Sequence, residues 1–354
     1  MNGSWTGTGD WTRSVTSDSA WATLTIVNQS QSSTWSRMVH GKEVSGLPLA
    51  NTQGSSDTVQ FTIQRPAGTL TFTGSRSGSK ASGKAQFTPD AAYIQQLAAL
   101  VEEKPSAQQA LELMFDNVQI QYVKDLREAG FKPSITDTLS LTRNGIRTEY
   151  ARNIKAAIPQ ISLADVIKLS RNGITGDYAK GLREAGYDLS PDQVISLSRS
   201  GVSSQYAGAI HQLGYGSQSI DEVIELARNG VGSNYLEAFH SAGYAFSAQE
   251  MVNLSRNGVS SQFAKALRDA GYKLSPHDLI KLSRNGVGTQ FATAVREAGY
   301  DLSPDDLIKL TRNGVSSAYM ISLRDPQREN LPVDDIIDLS RQGIRADLVK
   351  RLRK

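Results

Sequence analysis

From about residue 106 to the C-terminus the sequence repeats itself, and a chain of this kind buries its apolar residues between successive copies rather than in one ordinary core. A glycine that usually follows Arg-Asn marks each copy: Gly145, Gly173, Gly201, Gly230, Gly258, Gly286, Gly314 and Gly343, spaced by 28 residues with two intervals of 29. One earlier, degenerate copy has Asn117 in the glycine place, which brings the number to nine. The two extra residues fall in Tyr215-Gly216-Ser217-Gln218 and Asp325-Pro326-Gln327-Arg328. Both lie between copies, where a stacked array accepts insertions.

Each copy reads as two short helices. In Ser303-Pro304-Asp305-Asp306-Leu307, serine is an N-cap, proline suits the first helical position and Asp306 closes a capping box. Ser134, Ser162, Ser190, Ser219, Ser247 and Ser275 hold the same cap position. The marker glycine stops the helix, because the residue after a C-cap favours left-handed dihedrals. The second helix starts at the next serine pair, as at Ser203-Ser204, and ends at Ala-Gly-Tyr. Leucine stands four residues before every marker glycine from Leu141 to Leu339, and Ile or Val one residue after it. Tyr150, Tyr178, Tyr206, Tyr235, Phe263, Phe291 and Tyr319 follow five residues after it. One helix pair cannot bury both flanks of such a stripe, so neighbouring pairs must, which predicts an α-solenoid of about nine helix-turn-helix repeats.

Residues 1–88 follow a different grammar. They are rich in Ser, Thr and Gly and alternate polar with apolar residues, as in Val59-Gln60-Phe61-Thr62-Ile63 and Thr69-Leu70-Thr71-Phe72. Period-two alternation with β-branched and aromatic residues predicts six or seven half-buried strands in a small antiparallel β-sandwich or barrel. Arg65-Pro66-Ala67-Gly68 supplies hairpin-turn chemistry, and Ser75 to Gly83 reads as a mobile loop. Thr88-Pro89-Asp90 then reads as a helix start with Thr88 at the N-cap. The expected fold is therefore α+β in two domains: a β-rich domain at 1–88, a capping helix and linker at 89–105, and the repeat solenoid at 106–354.

Candidate chemistry concentrates in one column. Two residues before each marker glycine stand Arg143, Arg171, Arg199, Arg228, Arg256, Arg284, Arg312 and Arg341. A second basic column, ten residues after the glycine place, holds Arg127, Lys155, Arg183, Arg268, Arg296 and Arg324. As a ladder, the first column could bind phosphates one repeat at a time. As helix-end residues, both columns offset the negative end of the dipole, and acids in the first turn such as Asp137, Glu250 and Asp306 mirror them. The dipole account explains both signs of charge; the phosphate account explains one. The eight arginines are nevertheless the candidate binding surface. Asn144, Asn172, Asn229, Asn257, Asn285 and Asn313, just before the glycine, are read as helix terminators and the tyrosine column as core.

The remaining signals point away from catalysis. Cysteine is absent, which removes disulfides, thiolate metal sites and thiol catalysis. Net charge is +3, from 38 basic and 35 acidic residues, so charge balance does not suggest a nucleic-acid binder. No zinc-protease, serine-hydrolase or phosphate-loop motif occurs, and nothing points to a cofactor. His211 and His240 share one place in adjacent copies, which is a weak metal signal. Trp5, Trp11, Trp21 and Trp35 are read as core of the β-domain, with a sugar-binding face as the alternative. No apolar run is long enough to span a membrane, and no stretch near Met1 has the basic start and apolar middle of a secretory signal.

Two stretches carry a resemblance. Leu302-Ser303-Pro304-Asp305-Asp306-Leu307-Ile308-Lys309-Leu310-Thr311-Arg312-Asn313-Gly314-Val315, with Leu-Arg-Glu-Ala-Gly-Tyr elsewhere in the unit, resembles the short helical repeats appended to some bacterial membrane zinc metallopeptidases of the β-lactam-sensor type. Residues 59–72 look like the β-domain that can precede such repeats. The peptidase's metal motif and membrane helices are not in this sequence, so no catalytic residue carries over. The resemblance implies an extracytoplasmic module, periplasmic or secreted, although a cytoplasmic location stays open. The expected function is a non-catalytic scaffold recognising a protein or peptide. The alternatives are carbohydrate or envelope-polymer binding through the β-domain and nucleic-acid binding through the arginine column.

Overall fold

A computed structural model of the chain describes residues 2–9, 21–28, 33–40, 43–45, 57–77, 80–216 and 219–352. The chain forms two compact units, Met1–Lys180 and Gly181–Lys354.

The first unit opens with seven antiparallel strands: β1 (Asn2–Gly9), β2 (Trp21–Asn28), β3 (Ser33–His40), β4 (Val44–Ser45), β5 (Asp57–Arg65), β6 (Gly68–Ser77) and β7 (Lys80–Pro89). They make one sheet in the order β3-β2-β1-β7-β6-β5-β4. The expected alternation is present in β5–β7, where Phe61, Ile63, Leu70, Phe72, Ala85 and Phe87 are buried and Gln60, Gln64, Lys84 and Gln86 are exposed. Phe61 faces Phe72 across the ladder, and their rings stack at 4.4 Å. Among the described residues, helices rather than a second sheet cover this apolar face. Its side chains share one core with Tyr93, Leu97 and Val101 of α1 (Ala91–Val101) and Leu111 and Met114 of α2 (Ala107–Phe115). Alternation shows that a strand has one apolar face, but not whether a sheet or a helix covers it.

Two local readings need correction. The stretch read as a mobile loop is mostly hairpin: β6 reaches Ser77, β7 begins at Lys80, and only residues 78 and 79 lie outside the described residues. Thr88 and Pro89 belong to β7, and Asp90 caps α1 by accepting from the Tyr93 N–H at 2.7 Å. Thr88 is held by strand pairing with Thr69, and this overrides its preference for a cap. Ser219 holds the cap position as expected, accepting from the N–H of Asp221, while the Glu222 carboxylate takes the Gly216 N–H at 2.9 Å.

Nine helix pairs follow α1 among the described residues, matching the nine copies. The first unit holds α2 with α3 (Ile120–Glu128) and α4 (Ile135–Arg143) with α5 (Thr148–Ala157), then α6 (Leu163–Arg171) and the start of α7 (Gly176–Glu184). In the second unit stand α8 (Pro191–Arg199) with α9 (Ser204–Gln212), α10 (Ile220–Arg228) with α11 (Ser233–Ser241), and α12 (Ala248–Arg256) with α13 (Ser261–Asp269). They continue with α14 (Pro276–Arg284) and α15 (Thr289–Glu297), α16 (Pro304–Arg312) and α17 (Ser317–Leu323), and α18 (Val333–Arg341) and α19 (Ala346–Leu352). First helices touch first helices and second helices touch second helices, as in α12 with α14 and α13 with α15. Within each unit this makes two helical layers.

One motif explains why two apolar columns flank the marker glycine. The Gly145 N–H donates to the Thr142 carbonyl at 2.9 Å and the Ile146 N–H to the Leu141 carbonyl at 3.0 Å. These are the paired bonds of a Schellman ending, which brings together the residues before and after the turn. Leu141 and Ile146 are those residues, and both are buried, as are Leu254 with Val259 and Leu310 with Val315. The marker glycines have φ between 66° and 72°, and Asn117 takes the same turn at 51°.

Candidate functional site

All eight column arginines are the last residue of a first helix, and all eight are exposed. Their guanidinium groups are directed along the array. Arg171 Nε donates to Asn144 Oδ1 at 2.8 Å and Arg312 to Asn285 Oδ1 at 2.5 Å; Arg256 donates to Asn229 and Arg341 to Asn313. Arg199 is engaged as well. In the same asparagines Nδ2 donates back into its own helix, to the Ser140, Glu225, Lys281 and Lys309 carbonyls, at 2.7 Å in each case. Each amide therefore closes one helix and receives the arginine of the next. Where the preceding copy lacks asparagine the link adapts: Arg143 reaches Asp116 at 2.6 Å and Glu112 at 2.8 Å, and Arg228 reaches Ser200 Oγ at 3.1 Å. Arg284 makes no such bond among the described residues. Sequence reasoning placed both columns at helix ends but missed that they bind each other.

A second column joins the copies in the opposite direction. Tyr122, Tyr150, Tyr206, Tyr235 and Tyr319 donate their hydroxyls to the carbonyls of Ile146, Ile174, Val231, Val259 and Ile344, at 2.7–2.8 Å. Their rings are half-buried, and burial pushes the phenols of Tyr122, Tyr150, Tyr206 and Tyr235 up to about 12. A third column is the tyrosine of Ala-Gly-Tyr, a motif read from sequence only as the end of the second helix, with its glycine as the stop. Tyr244, Tyr272 and Tyr300 are buried and donate to the carbonyls of Ala264, Ala292 and Met320, at 2.9–3.0 Å.

The second basic column sits over those stops. Lys155 lies over Phe131 at 4.8 Å, Arg268 over Tyr244 at 4.9 Å and Arg296 over Tyr272 at 5.1 Å. Arg324 Nε also donates to the Ala298 carbonyl at 3.1 Å, as a cation at a helix C-terminus can. His211 takes this place against Tyr187, with ring centroids 4.7 Å apart, while His240 is exposed. No group of three His, Asp or Glu side chains converges as a metal site among the described residues. Trp5, Trp21 and Trp35 lie in β1, β2 and β3, and Trp11 lies outside the described residues.

The positions that differ from copy to copy are on the outside of the second helices. Four residues after the glycine stand Glu149, Asp177, Gln205, Asn234, Gln262, Gln290, Ala318 and Asp347, all exposed. One helical turn later come Arg152, Lys180, Glu237, Lys265, Ile321 and Lys350, also exposed. Sequence reading passed over these rows because they show no periodic residue type. The signal was the constancy of everything around them.

No family model, curated protein or solved structure matches the chain. The structure is a small N-terminal β-sheet followed by a regular helical repeat array, and no described helix is long and apolar enough to cross a membrane.

Proposed function

We propose that the chain is a non-catalytic scaffold whose repeats recognise a protein or peptide along the exposed face of the second helices. One observation carries this reading. Most of the side chains that recur from copy to copy are engaged within or between repeats, while the exposed rows that begin at Glu149 and Arg152 change in charge and size from copy to copy. A constant frame with a varied surface suits an extended partner, since each repeat can meet a different part of it. The resemblance of the repeat to modules appended to bacterial β-lactam-sensor-type metallopeptidases supports an extracytoplasmic sensing or interaction role. The arginine column serves the frame in this reading, because most of its guanidinium groups are held by neighbouring side chains.

Selection of random peptides on the immobilised full chain tests the proposal. Binders are expected, and changing Gln205, Gln262 and Gln290 together to Arg should weaken them by about tenfold or more while far-UV circular dichroism is unchanged. A selection that yields no binder, or binders indifferent to the triple change, overturns it.

A further inference from the structure

Within the second unit one rung departs from the pattern. A groove of about 580 Å³ lies between consecutive inter-repeat turns, walled by Tyr244, Phe246, Tyr272 and Leu274 and flanked by Arg268 and Lys273. Its volume is in the range of small-ligand sites, and no carboxylate lines it. At the next rung the equivalent cation, Arg296, is paired with Asp301 of its own repeat. The residue equivalent to Asp301 is Lys273, so Arg268 has a second cation where Arg296 has an acid. Among the described residues the Arg268 guanidinium makes no hydrogen bond or ion pair, whereas Arg127 donates to the Leu100 carbonyl and Arg324 to the Ala298 carbonyl. Asp269, next in the chain, is paired with Lys265 at 2.6 Å.

The apolar wall is also particular to this rung. Phe246 stands where Leu189, Leu274 and Leu302 stand in other copies. Its ring stacks on Tyr244 at 4.9 Å, and Tyr244 is fixed from behind by Phe239 at 5.8 Å and by its hydrogen bond to Ala264. A guanidinium lying on an aromatic face keeps its N–H fork in the plane of the group, free for a bidentate carboxylate. Gly243 makes this seat possible: a Cβ there would stand 2.9 Å from the guanidinium.

We infer that this groove binds a peptide carboxylate flanked by an apolar side chain, the carboxylate on Arg268 and Lys273 and the side chain against Tyr244, Phe246 and Tyr272. The inference rests on the scaffold reading and names one anchor within it. The carboxylate can be a chain terminus or an acidic side chain, and three probes separate these: N-acetyl-phenylalanine, N-acetyl-aspartyl-phenylalanine amide, and N-acetyl-phenylalanine amide, which carries no charge. In ligand-observed NMR titrations with the full chain, one or both acids are expected to bind with a Kd of about 1 mM, and the uncharged amide much more weakly. Lys273→Asp installs the acid that Arg296 already has at its own rung, so the fold should hold while acid binding falls about tenfold or more. Arg268→Gln should do the same. Acids that bind no better than the amide, or acid binding untouched by Lys273→Asp with a native circular dichroism spectrum, overturn the site whatever the peptide selection gives. Acids that bind here while no peptide is ever selected keep the site and overturn the scaffold.

Discussion

At the scale of single residues, the asparagine before each marker glycine works in two directions. In Asn229, Nδ2 closes α10 on the Glu225 carbonyl and Oδ1 receives Arg256 from the next copy. Asn229→Ala and Arg256→Gln should each cost about 0.5–1.5 kcal/mol in urea unfolding, and the double variant should cost less than their sum because both remove one shared bond. Strict additivity would show that the pair does not form in solution. Phe263 offers the reverse experiment. It stands in the tyrosine column without a hydroxyl, and at equivalent places the phenol reaches the carbonyl one residue after the next glycine. Phe263→Tyr should therefore add a bond to Val287 and raise stability by about 0.5–1.5 kcal/mol; a loss of stability would mean the rung is closed to it. The serine caps and glycine stops were legible in the sequence because they obey rules that act within four residues. The arginine–asparagine pair was not, since its members are 27 residues apart and each is already explained by its own helix end.

At the scale of elements, the helices are short, and side-chain bonds from the neighbouring copy hold them in place. The tyrosine column makes this dependence visible in alkaline solution. In the folded chain the phenols of Tyr122, Tyr150, Tyr178, Tyr206 and Tyr235 are pushed up to about 12 by burial, whereas an unfolded tyrosine titrates near about 10. Between those values the folded state holds more protons than the unfolded one. The stabilisation is thus complete below the unfolded value and is lost as pH rises through the folded one. Urea midpoints should fall from pH 9 to pH 12, and a variant with the five tyrosines changed to Phe should show a shallower fall. Helix positions were readable because 3.6-residue patterning and caps agree with each other. What covers the sheet was not: Phe61, Ile63, Leu70 and Phe72 announce a buried face, but α1 and α2 supply the cover from residues of quite different sequence character.

At the scale of the whole molecule, the repeat predicts graded rather than all-or-none behaviour. A chain ended after Tyr272 loses α14–α19 and should keep the remaining helices. Its far-UV signal is expected to fall in proportion and its midpoint to drop, while loss of all helical signal would mean that the copies do not stabilise one another by neighbours alone. The array was legible from spacing, because equal intervals between glycines leave few other ways to bury the leucine column. The departures were harder to see. Lys273 and Ser200 look like ordinary variation until the bonds made by their equivalents, Asp301 and Asn229, are known.

The near-constant span of the junction bonds also bears on how the chain is made. Apart from Tyr215, which reaches the Phe246 carbonyl 31 residues ahead, a tyrosine finds its carbonyl 20 or 24–25 residues ahead and an arginine its asparagine 27–28 behind, so each copy can dock soon after the next has emerged from the ribosome. One edge within the sheet follows the opposite schedule, because Asn2 pairs with Gln86 and that side of β1 waits for β7. Local contacts form fast and distant ones slowly. During synthesis β1 can pair early with β2 but its other edge stays open until β7 appears, whereas each later copy needs only its neighbour.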